Sequence, residues 1–183
     1  MSANAEQKFL FDGPAGPIEA LLSRADSPCA LAVICHPNPA QGGTMQNKVV
    51  HTLMRAARDC GASTLRFNFR GVGQSAGEHT AGAGEVDDCL AVIDRAREEL
   101  GKDLPLWLMG FSFGGYVAGA AACRLPAWPA RLVLMSSTAF SLAAGCASSM
   151  PKRFVPWTEP PIADSADIKR LHGMLTNSPT SLQ

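Results

Sequence analysis

Residues Ala30 to Cys35 read ALAVIC, six apolar residues in a row between Pro28 and Pro37. A run that is apolar on both alternating faces fits a strand covered on both sides, as in a parallel sheet. Parallel neighbours must be joined by a crossover of a dozen or more residues, usually a helix. The chain supplies those crossovers. Residues 44–60 place Met45, Val49, Leu53, Ala56 and Cys60 at helical spacing, with Thr44 as N-cap and Gly61 just past the end. Ser63 to Phe69 (STLRFNF) follows as a strand. Residues 85–100 form a helix that turns Val86, Leu90, Ile93 and Leu100 inward. Its first turn carries Glu85, Asp87 and Asp88, where the helix dipole favours acids. A strand at Leu106–Met109, a helix over 113–124 and a strand at Leu132–Met135 continue the alternation. Upstream, Phe9–Phe11 and Ile18–Leu22 read as a hairpin around DGPAGP. The order predicts an α/β fold, a mostly parallel sheet with helices on both faces.

A chain of 183 residues suits one domain. We read residues 1–136 as its core and 137–183 as an irregular C-terminal segment of the same domain. Lys+Arg and Asp+Glu are both 16, so no electrostatic footprint for nucleic acid or anionic lipid exists. Leu104 to Cys123 is uncharged and long enough to span a bilayer. It also holds Pro105, Gly110, Gly114, Gly115 and Gly119, and reads better as a buried strand and a small-residue helix. The six cysteines form no C-x-x-C pair, which leaves zinc unsupported. The N-terminus lacks the basic and apolar regions of a signal peptide. These features predict reduced, mostly buried thiols in a cytoplasmic protein. The expected partner is a small molecule, with no nucleic acid, membrane, metal or organic cofactor.

In such sheets ligands bind beyond the carboxyl ends of the strands, and three unusual loops lie there. The sharpest is Gly110-Phe111-Ser112-Phe113-Gly114, a G-x-S-x-G elbow. It raises the serine hydroxyl on a tight strand-to-helix turn, between glycines whose positions leave no room for a Cβ. The alternative is a glycine-lined turn whose serine only caps the helix. The second loop is His36-Pro37-Asn38-Pro39, then Gly42-Gly43-Thr44. Acyl transfer needs two N–H donors on the developing oxyanion: one from the residue after the nucleophile, here Phe113, and one from this loop. Pro37 and Pro39 have no N–H, which leaves Asn38. The plain alternative is a rigid turn with His36 bonding backbone. The third loop, Gly71-Val72-Gly73-Gln74-Ser75-Ala76-Gly77, nearly matches a dinucleotide fingerprint. Its third glycine comes one residue late and no helix opens directly from it. Arg70 beside it is placed for a structural salt bridge.

Gly110-Phe-Ser-Phe-Gly-Gly resembles the nucleophile elbow of the α/β-hydrolase superfamily. Further segments are similar to a small bacterial branch of predicted α/β-hydrolases. They are HPNPAQGGTMQNKVV from His36, LRFNFRGVGQSAG from Leu65 and the acidic helix start from Gly84. The resemblance runs from about residue 8 to about residue 136. It implies a serine hydrolase of esters, thioesters or related acyl compounds. Ser112 becomes the nucleophile, and the backbone N–H groups of Phe113 and Asn38 become the oxyanion hole.

The order of such a triad is Ser, then Asp or Glu, then His. The one histidine after Ser112 is His172, and its nearest acids are Asp164 and Asp167. No crossover fits between them, so His172 reads more simply as an exposed residue on a short helix. No strand pattern follows Met135. The expectation is a truncated or frame-shifted C-terminus, missing C-terminal strands, an impaired triad and an apolar sheet edge open to self-association. A non-catalytic protein of the same fold is the competing reading, and a nucleotide-binding oxidoreductase using Gly71, Gly73 and Gly77 is a third. The frameshift idea predicts that another reading frame downstream of codon 136 encodes strand, Asp, loop and His. DNA sequencing checks this, and two frames without that pattern sink it.

Overall fold

The computed structural model of the chain describes residues 6–135. Strands β1 (Glu6–Gly13) and β2 (Gly16–Ser23) open it as a hairpin. β3 (Ala30–Cys35), helix α1 (Lys48–Asp59), β4 (Ala62–Phe67) and helix α2 (Ala83–Leu100) follow. β5 (Leu106–Phe111), helix α3 (Phe113–Arg124) and β6 (Arg131–Met135) complete the order. The strands form one six-stranded sheet in the order β1-β2-β4-β3-β5-β6. β3, β4, β5 and β6 are parallel, while β1 and β2 run antiparallel at one edge. The predicted α/β architecture is therefore the observed one. The segment 137–183, with His172, Asp164 and Asp167, lies outside the described residues.

The apolar run ALAVIC is fully buried, and its two faces feed two cores. Leu31, Val33 and Cys35 join Leu65, Phe67, Leu108, Val86, Val92, Ile93 and Val117 under α2 and α3. Ala30, Ala32 and Ile34 join Trp107, Met109, Val50, Leu53 and Met54 under α1. Alternation along β3 thus glues helices to both faces of the sheet. Burying each of the larger side chains contributes about 1.5–3 kcal/mol.

Two boundaries shift for local reasons. The hairpin turn contracts from DGPAGP to Pro14-Ala15, because pairing of β1 with β2 continues to Gly13↔Gly16. Helix α1 starts at Lys48 rather than Thr44. The Asn47 side chain accepts from the Val49 N–H at 2.9 Å and takes over the N-cap. Thr44 instead accepts from the Gln46 N–H. Gly61 takes a positive φ of 84° just past α1, as expected. Cys29, Cys35, Cys60 and Cys89 are free thiols. Cys123 is disulfide-bonded, so the all-reduced expectation fails at that residue. Among the described residues, no helix is long and apolar enough to cross a membrane.

The Gly71–Gly77 loop corrects the nucleotide reading. It leads into irregular chain rather than a helix start, and its glycines serve packing. A Cβ on Gly73 would sit 2.3 Å from Glu19 Oε2, and one on Gly77 2.8 Å from Ala15 Cβ. Glu19, on β2, is the buried anchor. Its carboxylate accepts from Asn68 Nδ2 at 2.7 Å and from the Gln74 N–H at 2.9 Å, and pairs with Lys8 Nζ at 2.6 Å. Burial alone would raise its pKa, but these hydrogen bonds and Lys8 hold it below the usual carboxylate value. Ser75 Oγ accepts from the Glu19 N–H and donates to the Asn68 carbonyl. Replacing Glu19 by Leu strands the Asn68 and Gln74 donors. Urea unfolding should show a loss of about 2–4 kcal/mol, against a smaller loss for Glu19→Gln.

Candidate active site

Ser112 sits between β5 and α3 with φ 54° and ψ −119°. A non-glycine residue at positive φ is uncommon, and such a conformation costs roughly 1–3 kcal/mol. The surroundings hold it there. The Ser112 N–H donates to the Met135 carbonyl at 2.6 Å, and its own carbonyl accepts from the N–H groups of Gly115 and Tyr116. Glycines make the turn sterically feasible. A Cβ on Gly110 would lie 2.1 Å from the Gly114 carbonyl oxygen. The serine hydroxyl makes no capping hydrogen bond to α3. The alternative of a serine that only caps its helix is therefore not met.

Gly114 brings the second loop to the first. A Cβ there would lie 2.4 Å from the Cys35 carbonyl oxygen and 2.5 Å from that of His36. The first turn of α3 thus rests directly on the chain leaving β3. Asn38 lies two residues on, as the N-cap of a short 3-10 turn over Pro39–Gln41. Its side chain accepts from the Ala40 N–H at 2.9 Å, and its carbonyl accepts from the N–H groups of Gln41 and Gly43. The side chain and carbonyl of Asn38 thus fix the loop, and neither occupies its own N–H. Phe113, the first residue of α3, has no acceptor within the helix for its N–H.

His36 bonds backbone at both ring nitrogens, the plainer of the two roles open to it. Nε2 accepts from the Phe69 N–H at 3.0 Å, so the proton is on Nδ1, which donates to the Pro37 carbonyl at 2.7 Å. Burial disfavours its charged form and pushes its pKa down to about 4, against the weaker opposing effects of the Pro37 carbonyl and Glu85. The ring is a fixed strut between the ends of β3 and β4. His51 lies elsewhere, with Nε2 2.7 Å from Arg66 Nη1.

Sequence reasoning missed a third arrangement. The His79 ring stands edge-on to the Phe113 ring, centroids 5.4 Å apart, and its Nδ1 is 2.8 Å from Glu85 Oε1. Glu85 is fully buried. Burial would raise its pKa, but N–H donors from Thr80 and Gly82 and the Thr80 hydroxyl lower it to about 2. The signal was available in the acid at the third position of α2, where a carboxylate reaches back to the N-cap N–H. That the histidine joins it was not, because Glu85 was read as a dipole partner alone. Arg70 makes the expected structural pair, its Nη2 lying 2.7 Å from Asp88 Oδ1 with Asp88 buried. Asp164, Asp167 and His172 are outside the described residues. Among the described residues, no group of three or more His, Cys, Asp or Glu is arranged to hold a metal.

Comparison with known proteins finds similar sequences and a similar fold. The family model for the α/β hydrolase fold matches residues 33–159. An uncharacterized protein of Rickettsia prowazekii is 39% identical over 120 residues, which are 65% of this chain and 50% of that protein. A solved α/β serine hydrolase homologue from Coxiella burnetii superposes with a TM-score of 0.65 at 41% identity, covering 71% of this chain and 61% of that one. A serine hydrolase without a lid from Xanthomonas campestris gives a TM-score of 0.64 at 41% identity, covering 72% and 60%. The chain thus spans about half the length of the curated relative and about three fifths of these two structures.

The neutral strut at His36 makes stability depend on pH. The unfolded chain takes up a proton near pH 6.5 and the folded chain only near pH 4. The strut's full contribution is present above pH 6.5 and is lost as pH falls towards 4, by roughly 3 kcal/mol. Urea unfolding at stepped pH should show this loss, and His36→Gln should flatten it.

Proposed function

The chain belongs to the α/β hydrolase fold family, and on that premise we propose that it is a serine hydrolase of an ester, thioester or related acyl substrate. Ser112 is the nucleophile in this reading, and the N–H groups of Phe113 and Asn38 form the oxyanion hole. The observation that carries it is the Ser112 backbone at φ 54° on a strand-to-helix turn, with no hydrogen bond spending the hydroxyl on the helix. A protein holds a non-glycine residue in such a conformation only when its surroundings enforce it. At a nucleophile elbow the strain lifts the hydroxyl clear of the sheet.

The chemistry follows from those roles. The Ser112 oxygen adds to the acyl carbon while a base takes its proton. The carbonyl oxygen becomes an oxyanion and is stabilised by N–H groups already in position. The leaving group departs with a proton, and water then releases the acyl group from Ser112. The helix N-terminus of α3 adds positive potential where the negative charge develops. In this reading substrate reaches the elbow directly. The Xanthomonas relative, described as lacking a lid, supports such an open site.

Neither His36 nor His51 is available as that base. His36 spends both ring nitrogens on backbone, and His51 sits against Arg66. A serine hydroxyl without an adjacent base is a poor nucleophile. We propose that the activity of this chain is impaired, with ~10³–10⁴-fold acceleration over water, as is typical when the oxyanion hole and binding act without a full triad.

Treatment of the folded chain with a fluorophosphonate should give a slow adduct on Ser112, located by peptide mass mapping. Ser112→Ala should take up none and should form no acyl-enzyme with a p-nitrophenyl ester, keeping at most the acceleration that the oxyanion hole and binding give by themselves. An unlabelled but folded wild-type chain would favour the non-catalytic reading, a binding or assembly protein built on the same fold.

A further inference from the structure

Cys29 and Cys60 meet at the end of the sheet opposite the elbow. Cys29 immediately precedes β3 and is exposed, while Cys60 is the C-cap of α1 and half-buried. The parallel pairing of β3 with β4 begins one residue later, at Ala30↔Ala62. That pairing fixes the two segments side by side. The Cys29 N–H donates to the Gly61 carbonyl at 3.0 Å, and the Cys29 thiol donates to the Cys60 carbonyl at 3.2 Å. The Cys29 sulfur is therefore within one hydrogen bond of the Cys60 main chain. A Cβ added at Gly61 would lie 3.6 Å from the Cys29 sulfur, an ordinary contact that sets this sulfur beside the Cys60–Gly61 segment. Burial, then the neighbouring Cys29 thiol, then Asp59 raise the Cys60 pKa.

The second close pair is a useful contrast. Cys35 and Cys89 have their sulfurs 3.6 Å apart, yet both are completely buried, and burial together with Cys89 holds the Cys35 thiol far from ionisation. The thiolate is the reactive form, and a buried thiol in apolar surroundings is inert. Proximity without access makes a structural pair, whereas Cys29 is exposed and its sulfur lies on the main chain of the half-buried Cys60.

We propose that Cys29 and Cys60 form a thiol–disulfide exchange site that takes small disulfides of the glutathione class and closes into an intramolecular disulfide. The exposed Cys29 thiolate attacks one sulfur of the small disulfide, forming a mixed disulfide and expelling one thiolate. The Cys60 thiolate then attacks the Cys29 sulfur, forming the Cys29–Cys60 bond and expelling the second thiolate. Two protein thiols are oxidised, one small disulfide is reduced to two thiols, and the two thiol protons end on the released thiols. The bond needs the two Cα atoms about 4.4–6.8 Å apart; Cys29 lies opposite Gly61, the residue that follows Cys60, one step before the Ala30↔Ala62 pair. It staples the start of β3 to the end of α1 and closes a loop whose ends are 31 positions apart. The staple leaves the elbow rim untouched.

The test uses the full chain, incubated with oxidised glutathione at mildly alkaline pH, quenched by alkylation and mapped by peptide mass. The expected product is a Cys29 peptide linked to a Cys60 peptide, lighter by two hydrogen atoms, with no glutathione retained. Cys60→Ser should trap glutathione on Cys29, while Cys35 and Cys89 stay unlinked to either residue. Retention of glutathione on both Cys29 and Cys60 in the wild-type chain would overturn the proposal, as would recovery of both as alkylated free thiols. Because the readout is the chain's own covalent state, it is independent of whether Ser112 reacts.

Discussion

The first turn of α3 lies on the carbonyls of Cys35 and His36, and the whole rim depends on that contact. Nothing larger than hydrogen fits at Gly114, where a Cβ would be 2.4 Å from backbone that cannot move aside. The contact presses the helix start against the end of β3 and so sets Phe113 near the Asn38 loop. It also forces the chain to turn sharply at Ser112, since strand β5 must give way to helix within one residue. Strain at that residue is offset by the close packing of small residues along α3, where Val117, Ala118, Ala121 and Ala122 are buried against the sheet.

Around this contact, buried carboxylates give shape to chain that has no secondary structure. Glu19 organises the Gly71–Gly77 loop, Asp88 holds Arg70, and Glu85 collects donors from Thr80, Gly82 and His79. Each is a buried charge satisfied by several donors, the condition under which such burial is tolerated. The consequence is a rim whose loops are fixed by polar anchors rather than by ladders. Histidines enter this network as spacers: His36 spans the ends of β3 and β4, and His79 spans Glu85 and Phe113.

Much of this was legible along the chain. ALAVIC, LWLM and LVLM announced parallel strands because a strand buried on both faces has no polar side to show. The G-F-S-F-G pattern marked the elbow because only glycine meets the steric demand on either side of Ser112. Asn38 stood out because its neighbours are prolines. Other features were hidden for definable reasons. Asn47 displaced Thr44 as the cap of α1, a choice between two capable residues that the local pattern alone does not make. The Gly71–Gly77 loop imitated a phosphate cradle, since positive φ serves both a cradle and a tight packing turn. What distinguishes them is Glu19, more than fifty residues away in sequence.

Local sequence is sufficient for features that arise from short-range sterics and periodicity: which segments are strands or helices, where a glycine is obligatory, and which serine sits at a strand-to-helix turn. It is insufficient for partnerships across the fold, because any acid is chemically able to serve any nearby donor until packing brings one of them close. His36 as a neutral strut, Glu19 under the glycine loop and Cys29 beside Cys60 are all pairings of that kind. They follow from the strand order β1-β2-β4-β3-β5-β6. That order sets β4 between β2 and β3, and so decides which distant loops share an edge.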